Sequence, residues 1–315
     1  MNLTHADSNA TITLKYSDTF VTAVSRSVIV VVLGITISYI NATMIHTFNK
    51  YQIFKLSPRY ILFIHMVLND IIQLATSISL FIFLYAFQTI YVSLCLLIIL
   101  PAIITTQNTP LNLAFMGAEC CVSVCAPLRY NYICTVKRTY IIIGIIWAMS
   151  SLSVMPDLFI VLAVEPPQFF LSRVLCYRDT VFRSSYSVNK RDASHILFLV
   201  VVLLTLLYSY CRILFVARSA DADAKKARNT ILIHGFQLLL CTLVYVQPIL
   251  TKLLVYVLPE RISEVNFAFF IINQILPRLG SPMVYGLRDK TFRKYLKKHL
   301  CAVNHPAKRS LKVLS

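Results

Sequence analysis

Apolar residues in this chain gather into seven long runs separated by short polar stretches. The runs cover Ala23–Phe48, Pro58–Phe87, Val92–Cys125, Thr139–Val164, Ser194–Ala217, Asn229–Val257 and Glu264–Gly286. Each is at least as long as the ~20 residues a helix needs to cross the hydrocarbon of a bilayer. The pattern predicts an all-α membrane protein, a bundle of seven transmembrane helices over residues 23–286. The third run is the least regular, because Pro101, Gln107, Asn108, Thr109 and Pro110 interrupt it. Residues 1–22 form a polar tail without the apolar core of a signal peptide, so the first span is expected to act as an uncleaved anchor. After the seventh run the chain turns basic and amphipathic. A short helix is expected over 287–300, followed by a tail over 301–315.

Composition adds the solvent. With 57% hydrophobic and 14% charged residues among 315, much of the surface must face lipid. A formal charge of +17 in a soluble protein would point to nucleic acid, but here its placement excludes that partner. Twenty of the 30 lysines and arginines fall in the segments after the first, third and fifth runs, at the run ends beside them (Arg59, Arg212) and in the tail. Such an excess marks the cytoplasmic side, so the N-terminus is expected outside. The sequons at Asn2 and Asn9 lie in that outer tail and are expected glycosylation sites. A third match at Asn41 falls inside the first run and is expected to stay unmodified.

The nine cysteines separate by position. Cys95 opens the third run on the outer side, and Cys176 lies in the outer segment between the fourth and fifth runs. Both face an oxidising compartment and are expected to pair. The rest lie in or below the membrane, without the spacing of a metal site. Cys301, at the end of the basic stretch, is either a palmitoylation site or an unmodified cysteine. Neither a metal nor a cofactor is expected.

Several stretches carry a family resemblance. Pro127-Leu128-Arg129-Tyr130 follows the third run, and Trp147 sits mid-way along the fourth. Ser209-Tyr210-Cys211-Arg212-Ile213-Leu214 closes the fifth, while Lys226-Ala227, Thr230 and His234 open the sixth. Pro277 and Ser281-Pro282-Met283-Val284-Tyr285-Gly286-Leu287-Arg288-Asp289-Lys290 close the seventh. With these, the chain resembles the rhodopsin-like G-protein-coupled receptors, and more narrowly fish-type odorant receptors. The resemblance implies a small-molecule odorant as ligand, a stimulatory, olfactory-type heterotrimeric G protein as partner, and the plasma membrane as location, with lipid around the bundle. Pheromone or peptide recognition on the same fold is the alternative.

The resemblance also implies roles for individual residues. Positions facing the outer cavity are Ala102, Ile103, Thr106, Gln107, Ser194, Phe198, Ile249, Leu253, Ile271 and Gln274. They are mostly apolar and neutral, which favours a neutral or weakly polar odorant. The switch and polar-core positions are Asn41, Asp70, Thr109, Glu119, Cys120, Tyr210, Arg278, Ser281, Pro282 and Tyr285. In this family the place of Asp70 usually binds sodium. An ionisable group inside a membrane is costly and generally has a named partner. Arg278 lies one turn before Ser281, where a guanidinium could replace the ion.

Departures from the family pattern are as informative. Where the family has Asp-Arg-Tyr at the inner end of the third helix, this chain has Glu119-Cys120-Cys121. The acid remains without its arginine. Lys226 and Arg228 are the nearest expected partners for Glu119, with Arg129 and Arg138 as alternatives. The fifth run lacks the family proline, and Val246 stands where a tryptophan would precede Pro248.

An enzyme is not expected, because no span carries a metalloprotease, nucleophile-elbow or phosphate-loop motif. A transporter is the remaining rival. The breaks at Pro101, Pro110, Pro248 and Pro282 do not recur in two related halves, which counts against it.

Overall fold

A computed structural model describes residues 20–87, 89–217, 261–282 and 289–304, with a few isolated positions between 232 and 257. Helices dominate. In chain order they are α1 (Phe20–Lys50), α2 (Gln52–Lys55), α3 (Pro58–Phe87), α4 (Val92–Cys125), α5 (Pro127–Ile133), α6 (Val136–Val164), α7 (Pro167–Phe170), α8 (Arg178–Val181), α9 (Ser185–Ala217), α10 (Ile262–Phe270), α11 (Leu276–Pro282) and α12 (Lys290–Asn304). A π-helical turn over Ile271–Ile275 joins α10 to α11. Among the described residues, five helices are long and apolar enough to cross a membrane: α1, α3, α4, α6 and α9. Helices dominate because, in lipid, backbone groups must bond within their own segment.

α4 is the hub, packed along α3 and α9 and, less extensively, α6. Its prolines leave carbonyls without their usual amide partner. Hydroxyls in the same stretch bond to nearby carbonyls: Thr105 Oγ1 donates to Pro101 O at 2.7 Å and Thr106 Oγ1 to Ala102 O at 2.7 Å. Asn69 of α3 adds a bond across the interface, donating to Thr105 O at 2.9 Å. Small residues let helices approach closely, as membrane bundles require. A Cβ on Gly34 would meet Ile78 of α3, and one on Gly117 would meet Leu206 of α9.

One end of the bundle is closed by a disulfide. Cys95 in the first turn of α4 is bonded to Cys176. Beside it a two-stranded antiparallel ladder pairs Ile90 with Val174 and Tyr91 with Arg173. At the opposite end α12 docks through aromatic contacts. Phe292, fully buried, packs against Phe54 (centroids 5.1 Å apart) and Phe63 (5.5 Å). Asp289 accepts from the Phe292 amide at 2.8 Å, as a capping carboxylate does at a helix start. Tyr60 of α3 donates to the same carboxylate at 3.1 Å.

Candidate functional site

Two polar centres lie inside the bundle, at different depths. The first joins α3 and α11. Arg278 Nε lies 3.6 Å from Asp70 Oδ1, with both side chains almost wholly buried. A buried carboxylate without a counter-charge would be costly, so proximity of the guanidinium is the physical condition for both to remain. Around this pair Asn69 Nδ2 donates to Thr109 Oγ1 at 3.0 Å, and Asn108 Nδ2 donates to Asn69 Oδ1 at 3.2 Å. Thr109 is thereby tied to Asn69. Asn41 is fully buried on α1, with no hydrogen-bond partner among the described residues.

The second centre sits at the α12 end and corrects an expectation. Glu119 does not take Arg129 or Arg138 as its partner. Arg59 at the start of α3 donates to it through Nε (3.2 Å to Oε2) and Nη2 (3.3 Å to Oε1). Tyr130 of α5 donates its hydroxyl to Oε1 at 2.7 Å. Arg138 instead donates to the carbonyls of Tyr132 and Ile133. Lys226 and Arg228 lie outside the described residues. The physical reason is reach. Arg59 enters from the start of the neighbouring helix, whereas Arg138 is spent within its own loop. Burial, then the adjacent carboxylate, pushes the Tyr130 phenol far above its ordinary value, so it remains a donor at neutral pH. Both effects also raise the Cys134 thiol. A cavity of about 390 Å³ opens beside the triad, lined by Ser57, Arg59, Tyr60, Ser123, Pro127 and Tyr130.

Among the cavity positions named from the sequence, three form interhelical hydrogen bonds. Gln73 Nε2 donates to Thr106 Oγ1 at 2.7 Å, Gln107 Nε2 to Ser153 Oγ at 3.2 Å, and Ser77 Oγ to Gln274 Oε1 at 3.2 Å. Gln274 belongs to the π-helical turn, a feature frequent at functional sites. Ile103 is in the core around the disulfide. Phe198 packs instead on the core nearer α12, with Val202 and Leu206, and Ile271 packs beside Ile37 and Leu74. Ala102 and Ser194 are half-buried, and Leu253 is exposed. Cys120 and Tyr210 pack with Ile213 of α9. Asn2, Asn9, Ile249 and Tyr285 lie outside the described residues, as do the side chains of Ser281, Pro282 and Cys301.

Sequence reasoning missed a third charged group. Asp157 of α6 is 1% exposed, and Lys190 Nζ of α9 donates to its Oδ1 at 2.6 Å. Arg178 Nη2 of α8 lies 3.7 Å from Oδ2. An acid within an apolar run was the available signal. His65 of α3, expected from the sequence to be a core or interface group, is buried, and its Nε2 accepts from the Trp147 indole N–H at 2.9 Å.

The described residues thus form a disulfide-capped helical bundle with buried charges and a docked amphipathic helix. The family model for the seven-transmembrane receptors of the rhodopsin family matches residues 40–285, and the chain belongs to that family. It is therefore a multi-pass membrane receptor, and not an enzyme. Its sequence is similar to odorant receptor 131-2 of Danio rerio, 30% identical over 295 residues, covering 92% of this chain and 90% of that receptor.

Proposed function

We propose that the chain is an odorant receptor of the plasma membrane, N-terminus outside, that signals through a heterotrimeric G protein. A small molecule binds between the helices at the disulfide end. It shifts the population towards an arrangement in which the α12 end opens to the G protein, because it fits that arrangement better. By resemblance the partner is of the stimulatory, olfactory type and raises cyclic AMP. The observation that carries this reading is the similarity over nearly the whole length to an odorant receptor.

The placement of charge supports the orientation. Arg59, Arg129, Lys137 and Arg138 cluster at the α12 end, and α12 itself holds Lys290, Arg293, Lys294, Lys297 and Lys298. This is the distribution of a cytoplasmic face. The amphipathic α12 then lies along the inner leaflet.

The test is expression with an olfactory-type G protein and a cyclic-AMP reporter, against a chemically diverse odorant panel. A concentration-dependent response, absent from cells lacking the receptor, is expected. Ligand-stimulated flux in vesicles without nucleotide exchange on the G protein would replace this reading with transport.

A further inference from the structure

We infer that the ligand carries an anionic head group, a carboxylate or a sulfonate, and that Lys190 and Arg178 receive it at the disulfide end of the bundle. This rests on the chemosensory reading above and names the ligand class.

Three separate elements converge on Asp157. α6 supplies the carboxylate, α8 supplies Arg178, and α9 supplies Lys190. Asp157 is one turn along α6 from Ser153, which accepts from Gln107 of α4, so the cluster continues the polar face shared by α4 and α6. Helix α9 begins at Ser185, nine residues before the apolar run does. That extension brings Lys190 into the helix, one turn before Ser194 on the same face.

Access decides the sign of the ligand. The Asp157 carboxylate is covered, at 1% exposure. The Lys190 and Arg178 side chains remain 21% and 19% exposed. A molecule entering here meets the two cations and not the acid beneath them. Asp157 acts as their anchor. It fixes Lys190 with one hydrogen bond, and an ammonium has three donors to give. Ser187, one turn from Lys190 on α9, is 3% exposed, and its hydroxyl has no hydrogen-bond partner among the described residues. A carboxylate or sulfonate offers acceptors to the remaining Lys190 donors and to the Ser187 hydroxyl, and its bond to the ammonium is charge-assisted, about twice as strong as a neutral one. An amine would meet like charge.

Matched odorant sets test this: hexanoate and hexanesulfonate, hexanol and hexanamide, and hexylamine. Each is applied to cells expressing the full-length receptor and to the purified receptor in a thermal-shift assay, alongside longer and branched homologues of the same series. The anionic members are expected to activate and to stabilise. The double variant Asp157→Asn with Lys190→Gln removes the fully covered charge and keeps only Arg178, whose side chain is 19% exposed, so it should reach the surface. It should lower the potency of the anionic members at least tenfold. Activity confined to the neutral or amine sets, anion potency unchanged in the double variant, or stabilisation by no member of any set would each overturn the inference. Stabilisation by anions without cyclic AMP would uphold the anion site and count against the signalling reading. Signalling by neutral members alone would do the reverse.

Discussion

Arg59 and Glu119 face each other across α3 and α4 through two near-parallel contacts, Nε to Oε2 at 3.2 Å and Nη2 to Oε1 at 3.3 Å. Glu119 is buried while Arg59 is 35% exposed, so one partner is shielded and the other is screened by solvent. Glu119 is followed on α4 by Cys120 and Cys121, so no arginine of its own helix stands beside it. The acid keeps its place on α4, and its arginine partner comes instead from the start of α3.

An ion pair with one screened partner contributes only ~0–1 kcal/mol. Glu119→Gln should therefore raise ligand-free cyclic AMP modestly, by up to about fivefold at that energy. Arg59→Gln should do the same, and the double variant should show no further rise, because coupled residues are non-additive. Basal cyclic AMP at matched surface expression is the measurement. No change in Glu119→Gln would remove this pair from the resting state.

The Asp70–Arg278 pair is buried on both sides, and removing one partner takes the adjacent counter-charge from the other. Arg278→Gln should cost about 3–5 kcal/mol. Asp70→Asn combined with Arg278→Gln should recover much of that loss. Thermal unfolding of purified receptor in sodium and in choline salts checks it. The parent is expected to be indifferent to the cation, and Arg278→Gln to be stabilised by sodium.

The Cys95–Cys176 bond closes a long loop, with the two residues 81 apart in sequence. Its loss should cost about 2–4 kcal/mol. Cys176→Ser should lower the unfolding temperature, and reductant should lower that of the parent without lowering the variant further. Peptide mapping that finds either thiol free in the parent would refute the bond.

Trp147 is the chain's single tryptophan, so its fluorescence reports directly on its contact with His65. Accepting the indole proton requires an unprotonated Nε2, which places the imidazole proton on Nδ1. Trp147→Phe leaves that buried acceptor without its donor and should cost about 1–3 kcal/mol. His65→Leu should shift the emission to shorter wavelength as the indole loses its hydrogen bond. An unshifted spectrum would show that the contact is not formed.

The polar core was partly legible in the sequence. Asp70 and Arg278 are conspicuous because each interrupts an apolar run, and an isolated charge there needs a partner. The 3.6 Å separation required the helices to be packed. Glu119 was equally conspicuous, yet its partner was not, because Arg59 reads as one more basic residue of a loop. Asp157 is inconspicuous for the opposite reason. It lies in an apolar run, but the cations that make it a site come from segments 21 and 33 residues away.

The helical, membrane-spanning character of the chain is legible in its linear order. Long apolar runs in lipid satisfy their backbone locally, residue by residue, so no distant contact is needed to specify them. The cysteines on one side and the basic residues on the other follow from the same linear order. Which charges meet is set by how the helices pack. Salt bridges such as Arg59 with Glu119, and Lys190 with Asp157, depend on helix rotation and on where α9 begins. A helix rotates by 100° per residue, so one residue of register changes which side chain faces a neighbour, and that register is set by packing.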